Sequence, residues 1–237
     1  MIDSHSRLIR KVPEITAIFW LAKLLTTAMG ESTSDYFVFR INPYIAVILG
    51  GIVFAVALAI QFSARKYVPW IYWFAVTMVA VFGTMAADVL HIQLHVPYTV
   101  STIFFAIVLA LVFTAWHKTQ KTLSIHTVNN PRRELFYWAA VLATFALGTA
   151  AGDWAAVTLG LGYFSAGLVF AGIILIPALG FWLFGLNEIL SFWFAYVITR
   201  PLGASFADWF GKSQAVGGRG YGDSHVSLVL TGFIILC

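Results

Sequence analysis

Apolar runs about 20 residues long follow one another along this chain, and that is the length a helix needs to cross a bilayer. Short polar stretches carrying Pro, Gly or paired basic residues separate them. Nearly every side of each run is apolar, so periodicity alone does not separate helix from strand, and run length and breakers define the elements instead. They predict seven full spans, at about Pro13–Tyr36, Tyr44–Phe62, Trp70–Leu90, Tyr98–Trp116, Leu135–Val157, Tyr163–Phe184 and Phe192–Phe210, and a shorter final run, Val226–Cys237. Pro43, Pro69 and Pro97 stand at helix starts, where a missing amide hydrogen costs nothing, whereas Pro177 and Pro201 lie inside spans and predict kinks.

Composition agrees with this pattern. The chain is 60% hydrophobic and 10% charged, with a mean hydropathy of +0.87, which places it among all-α integral membrane proteins and leaves no stretch for a soluble catalytic domain. One transmembrane domain over residues 1–237 is the expectation. The single cysteine, Cys237, excludes an internal disulfide and a thiolate metal cage. The N-terminal MIDSHSRLIRKVPE has no short apolar region followed by a cleavage site, so no removable signal peptide is read there.

Charge placement sets an orientation. Arg7, Arg10, Lys11, Arg65, Lys66, Lys118, Lys121, Arg132 and Arg133 fall on one side, against Arg40, Lys212 and Arg219 on the other, which puts the N-terminus in the cytoplasm. The basic run from His117 to Arg133 lies beside a span, so it reads as a positive-inside or anionic-lipid feature rather than a nucleic-acid patch. The bilayer is the expected partner; a second copy of the chain completing the ring is left open.

Alignment on tryptophan exposes an internal repeat. WLAKLLTTAMGESTSD (20–35), WFAVTMVAVFGTMAAD (73–88), WAAVLATFALGTAAGD (138–153) and WFAYVITRPLGASFAD (193–208) all read W-x9-G-x4-D without a gap. Each copy occupies an odd-numbered helix and is followed by one more, so the unit is a helical hairpin, with repeats at about 13–66, 67–121, 131–184 and 187–237. Four parallel repeats of seven to eight helices are expected around a pseudo-symmetry axis along the membrane normal, with equivalent residues at equal depth. Asp35, Asp88, Asp153 and Asp208 then form one layer, about 22 Å of helix rise beyond the tryptophans, toward the outer side.

The glycines have a packing explanation: Gly30 with Ser34, Gly83 with Ala87, Gly148 with Gly152 and Gly203 with Ala207 are small-xxx-small pairs. The tryptophans read as belt or packing residues. The aspartates are harder to dismiss. Each lies about 140° around its helix from the glycine, near a helix C-terminus where the macrodipole disfavours an anion. Either they tie repeat to repeat through neighbouring amides and hydroxyls, or they mark an ion or proton path. The first repeat adds Lys23, Thr27 and Glu31 to Asp35 on one arc of about 120°, which must face inward. A buried guanidinium at Arg200 needs an acid, so a pairing network of Lys23, Arg200, Glu31 and the aspartate layer is expected. Thr84, Thr149 and Ala204 occupy the place of Glu31 in the other repeats, which raises the question whether Lys23 and Arg200 are there to answer this one extra acid.

Asp88, His91 and His95 have i, i+3, i+7 spacing, within about 60° on a helix face, and a carboxylate with two imidazoles suits Zn, Mn or Fe. His5, His117, His126 and His225 read as solvated loop residues. The Gly-rich AVGGRGYGDSH is a turn, since it lacks the Lys-Ser/Thr and the preceding strand of a phosphate loop. No enzyme signature is present.

Through KVPEITAIFWLAKLLTTAMGESTSD, YWAAVLATFALGTAAGD and ITRPLGASFADWFGK the chain resembles a bacterial family described as repeat-containing, uncharacterised membrane-anchored proteins, over nearly all of Lys11 to Lys212. The resemblance implies a bacterial inner-membrane protein of repeated hairpins, and no activity, substrate or cofactor. The matching positions are Lys11, Pro13, Glu14, Lys23, Thr26, Thr27, Gly30, Glu31 and Asp35 in the first repeat, Gly148 and Asp153 in the third, and Arg200, Pro201, Gly203 and Asp208 in the fourth. The leading expectation is a transporter or channel for a small cation, a divalent metal being favoured, with the acid layer balanced by Lys23 and Arg200. A structural or sensory membrane protein, and an intramembrane metal-dependent or redox enzyme using Asp88, His91 and His95, are the alternatives.

Overall fold

Asparagine, threonine and proline fix where the helices begin. The computed structural model describes residues 10–237; Arg7 and His5, and the reading of the extreme N-terminus, lie outside them. Eight helices follow: α1 (Ala17–Val38), α2 (Pro43–Ser63), α3 (Pro69–Asp88), α4 (Tyr98–Gln120), α5 (Pro131–Asp153), α6 (Gly162–Phe184), α7 (Glu188–Gly211) and α8 (Asp223–Leu236), with no strand among the described residues. Asn42 and Asn130 cap the amides of Tyr44 and Arg133 ahead of Pro43 and Pro131, and Thr16 and Asn187 do the same for Phe19 and Leu190. One π-helical turn follows Asp88 (Val89–Gln93) and one follows Asp153 (Trp154–Thr158). The helix runs on through Pro177 in α6 and Pro201 in α7.

Six helices are long and apolar enough to span a membrane: Pro43–Ser63, Pro69–His91, Tyr98–Gln120, Pro131–Thr158, Gly162–Phe184 and Glu188–Gly211. The seventh expected span, α1, has 22 residues but carries Lys23, Glu31 and Asp35, and α8 has only 14 residues.

The odd helices form the interior. Each packs against the next, and α7 packs against α1. Their contacts rise in register: Phe19 meets Trp73 and Phe192, Tyr72 meets Tyr137, and Tyr137 meets Trp193 at one end, whereas Ser34 meets Asp88 and Asp35 lies with Asp208 at the other. The four therefore run in the same direction. The repeat glycines make this possible by one rule followed around the ring. The space a Cβ would need on Gly30 is taken by Ala80, on Gly83 by Phe145, on Gly148 by Arg200 and on Gly203 by Thr27. In every case the occupant stands seven residues after the tryptophan of the next odd helix. A Cβ would overlap its neighbour outright at Gly30, Gly148 and Gly203 and meet it tightly at Gly83, so the inner helices approach closely, as in small-xxx-small packing.

The even helices lie outside and keep apolar faces exposed, with Ile48 62%, Ile103 56% and Phe184 80% accessible. A hairpin unit suggests that each even helix packs on the odd helix before it. The main contacts go the other way: α2 packs on α3, α4 on α5, α6 on α7, and α8 returns to α1. The chain is closed by its last helix docking on its first, where Thr33 and Ser227 hydroxyls meet at 2.6 Å.

At the tryptophan end the segment before α1 straps the bundle. Lys11 Nζ donates to Glu134 Oε2 at 2.5 Å and to the Phe62 carbonyl at 3.1 Å, and Gln61 Nε2 donates to Glu134 Oε1 at 3.0 Å. Glu134 is fully buried. Removing one partner of such a pair strands the other charge, so Lys11→Met is expected to cost about 3 kcal/mol or more, with Glu134→Gln in the same chain recovering much of it. Thermal unfolding in detergent followed by circular dichroism measures this, and an unchanged melting temperature in Lys11→Met refutes it.

Candidate functional site

The question raised by Glu31 is answered by position. Glu31, Thr84 and Thr149 stand eleven residues after their tryptophans, on α1, α3 and α5, and all three meet the guanidinium of Arg200 on α7. The two hydrogens of Arg200 Nη2 are shared among Glu31 Oε2 at 2.5 Å, Thr149 Oγ1 at 2.9 Å and Thr84 Oγ1, while Nη1 donates to the Thr27 carbonyl at 3.2 Å. Both threonine hydroxyls accept here while their own protons are used elsewhere, that of Thr149 on the Phe145 carbonyl and that of Thr84 on the Ala80 carbonyl at 3.0 Å or on Glu31 Oε2 at 3.3 Å. One fully buried cation thus holds all four inner helices, and the fourth equivalent position, Ala204, lies one turn on in the arginine's own helix. The extra acid in the first repeat neutralises the extra base in the fourth.

One turn further along α1 stands Asp35. A ligand oxygen from each of Glu31, Asp35 and Asp208 lies within 4.8 Å of the others, and all three residues are buried. Lys212, the residue that ends α7, reaches back over them: its Nζ pairs with Asp35 Oδ2 and is 3.8 Å from Asp208 Oδ1. Burial works against the Lys212 ammonium, but the Asp35 and Asp208 carboxylates outweigh it and hold its pKa above the ordinary lysine value. The span predicted from the sequence ends at Phe210, which leaves Lys212 outside it. Its i+4 spacing from Asp208 was the available signal, because a helix extended by one turn brings the two onto one face.

The other two layer aspartates are held differently. Asp88 accepts from Ser34 Oγ at 3.1 Å, and Asp153 Oδ2 lies 3.8 Å from His91 Nδ1. The π turns that follow Asp88 and Asp153 redirect the chain there, a distortion that often accompanies functional positions.

Two expectations are corrected. Lys23 does not join the acids: its ammonium, 1% exposed, has no hydrogen-bond partner and sits 3.8 Å from the ring centroid of Phe145 and 4.2 Å from that of Tyr196, held by cation–π contact. Asp88, His91 and His95 do not converge. The π turn breaks the 100° progression after Asp88, and His95 follows with φ of 54°, exposed in the connection to α4. Among the described residues the one group of three or more carboxylates and imidazoles close enough to share a metal is Glu31, Asp35 and Asp208. His126, read as solvated, is 3.0 Å from Glu188. A groove of about 650 Å³ between α1, α6 and α7, lined by residues such as Trp20, Pro177 and Phe192, is mostly apolar and lies away from the acid layer.

A family model described as Repeat of Unknown Function (DUF347) matches four segments, residues 18–67, 71–122, 136–185 and 191–237. No curated protein and no solved structure matches the chain.

Proposed function

Because the chain belongs to the Repeat of Unknown Function (DUF347) family, whose description assigns no activity, we propose its function from geometry alone: a membrane transporter for a small cation. The observation that carries this reading is the buried cluster of Glu31, Asp35 and Asp208 roofed by the tethered ammonium of Lys212. Intramembrane carboxylates are expensive, and a set that outnumbers its fixed counter-charges suits an exchangeable positive ion. The four cyclic glycine contacts support a fourfold pseudo-symmetric arrangement about an axis along the membrane normal. In this reading the chain is a multi-pass protein of the bacterial inner membrane, with a cytoplasmic N-terminus and the acid layer toward the outer face.

Arg200 makes the transport an exchange rather than an open pore. A guanidinium held to all four inner helices is a positive floor beneath the acids, and it repels any cation moving past it. An ion entering from the acid side displaces Lys212 first, and passage requires the Arg200–Glu31 pair to open. Hard carboxylate oxygens favour a divalent metal ion among the candidates.

Reconstituted protein is expected to carry one of a panel of divalent metals or protons into proteoliposomes, and Asp35→Asn and Asp208→Asn each to reduce that flux by an order of magnitude or more while the protein remains monodisperse. Flux no greater than that of empty vesicles across the whole panel refutes the transport reading. A second reading, in which the charges only hold the repeats together, is favoured by the reach of Arg200 to every inner helix; in that case the two substitutions lower folded yield and no flux is seen.

A further inference from the structure

Resting on the cation reading above, we propose that His91 and Asp153 form a second, selective cation position beside the acid layer, and that its ligand is a first-row divalent transition ion rather than Mg²⁺ or Ca²⁺. His91 comes from the π turn after α3 and Asp153 from the end of α5, so the pair joins the second repeat to the third.

His91 Nε2 lies 2.6 Å from Ser101 Oγ, and the single proton of that hydroxyl has the Tyr98 carbonyl at 3.0 Å and the Pro97 carbonyl at 3.4 Å as acceptors besides the ring. In the tautomer of this proposal the Ser101 proton goes to a carbonyl, so Ser101 accepts and Nε2 carries the hydrogen. Nδ1 is left with its lone pair. It is buried, has no partner, and faces Asp153 Oδ2 across 3.8 Å. A protonated Nδ1 closes on a carboxylate to about 2.7–2.9 Å, and the observed separation is not of that kind. A buried lone pair facing a half-buried carboxylate, with no donor between them, marks the place of a positive ion.

The surroundings match a metal ligand. A metal-bound histidine donates its other ring N–H to a fixed acceptor, which orients the ring, and Ser101 does this here. Tyr98 packs edge-on against the imidazole, with ring centroids 4.4 Å apart, and limits its rotation. The two ligands come from different elements, and their 3.8 Å separation is one that a single ion spans with bonds of about 2.1 Å to each. Imidazole with carboxylate prefers Mn²⁺, Fe²⁺, Co²⁺ or Zn²⁺ over the oxygen-seeking Mg²⁺ and Ca²⁺, whereas Glu31, Asp35 and Asp208 alone discriminate little. His91 is thus the selectivity ligand of the site.

Electron spin-echo envelope modulation of Mn²⁺ bound to the purified full chain tests this directly. Nitrogen modulation from one imidazole is expected in the wild type and is lost in His91→Gln. Asp153→Asn removes the same signal and serves if His91→Gln does not fold. Ser101→Ala keeps the modulation but weakens Mn²⁺ binding roughly tenfold, as loss of an orienting partner does. Bound Mn²⁺ without nitrogen modulation overturns the proposal and leaves the acid-layer reading intact. Absence of bound Mn²⁺ also overturns it, and the flux assay, which includes protons, then decides the transport reading on its own.

Discussion

Replacing Arg200 by methionine is expected to destabilise the protein more than any other single substitution. Glu31 then keeps its burial and loses its counter-charge, and Thr84 and Thr149 lose the donor that joins them to α7. Breaking a buried ion pair from one side costs about 3–5 kcal/mol, enough to remove most of the stability of a small bundle. Two companions give the result its meaning. Arg200→Lys should rescue poorly, because an ammonium cannot reach four helices with the planar fork of a guanidinium. Arg200→Met with Glu31→Gln should recover a large part of the loss, since no bare charge is left. Folded yield in detergent and unfolding by sodium dodecyl sulfate titration measure the series; equal stability of Arg200→Met and wild type contradicts the role given to this residue.

The second large effect comes from the glycine rule. In Gly30→Ala the new methyl overlaps Ala80 Cβ and comes within 3.0 Å of the Ala80 carbonyl carbon, and neither of these can swing aside. The α1–α3 interface must open, at a cost of about 1–3 kcal/mol for overpacking. Gly172→Ala is the control. Nothing lies within 4 Å of that position, so the same chemical change should be neutral or stabilising by up to about 1 kcal/mol through helix propensity. A Gly30→Ala protein as stable as Gly172→Ala removes the close approach as the reason for the repeated glycine.

Local pattern made the repeat legible, and with it the helices, the aspartate positions and the need of Arg200 for an acid. A fixed spacing within one helix states depth and face, and those are the quantities periodicity encodes. Partners far apart in the chain are another matter. Lys11 and Glu134 are 123 residues apart, and no local rule joins a strap before one helix to the first turn of another. Lys23 shows a different limit: its charge suggested an acid, but the aromatic faces of Phe145 and Tyr196 accept an ammonium, and their position depends on packing. His95 fails for a backbone reason, since a left-handed residue after a π turn leaves the helical wheel on which the Asp88, His91, His95 spacing was drawn. The order of outer helices around the ring was invisible because a uniformly apolar surface fits either neighbour.

The closure of the chain upon itself also sets a timetable for its biogenesis. Helix α1 leaves the ribosome first, carrying Lys23, Glu31 and Asp35, but the guanidinium that pairs with Glu31 is 169 residues later in the chain. At roughly 5–20 residues per second, that gap is on the order of 8 to 34 s. Of the eight helices, α1 is made before the rest with its charges unpaired, and α8, which packs on it, is made after the other seven. In the membrane reading proposed above, an insertion machinery has to shelter α1 until the fourth repeat arrives, and nascent chains halted before Arg200 should be retained there or degraded.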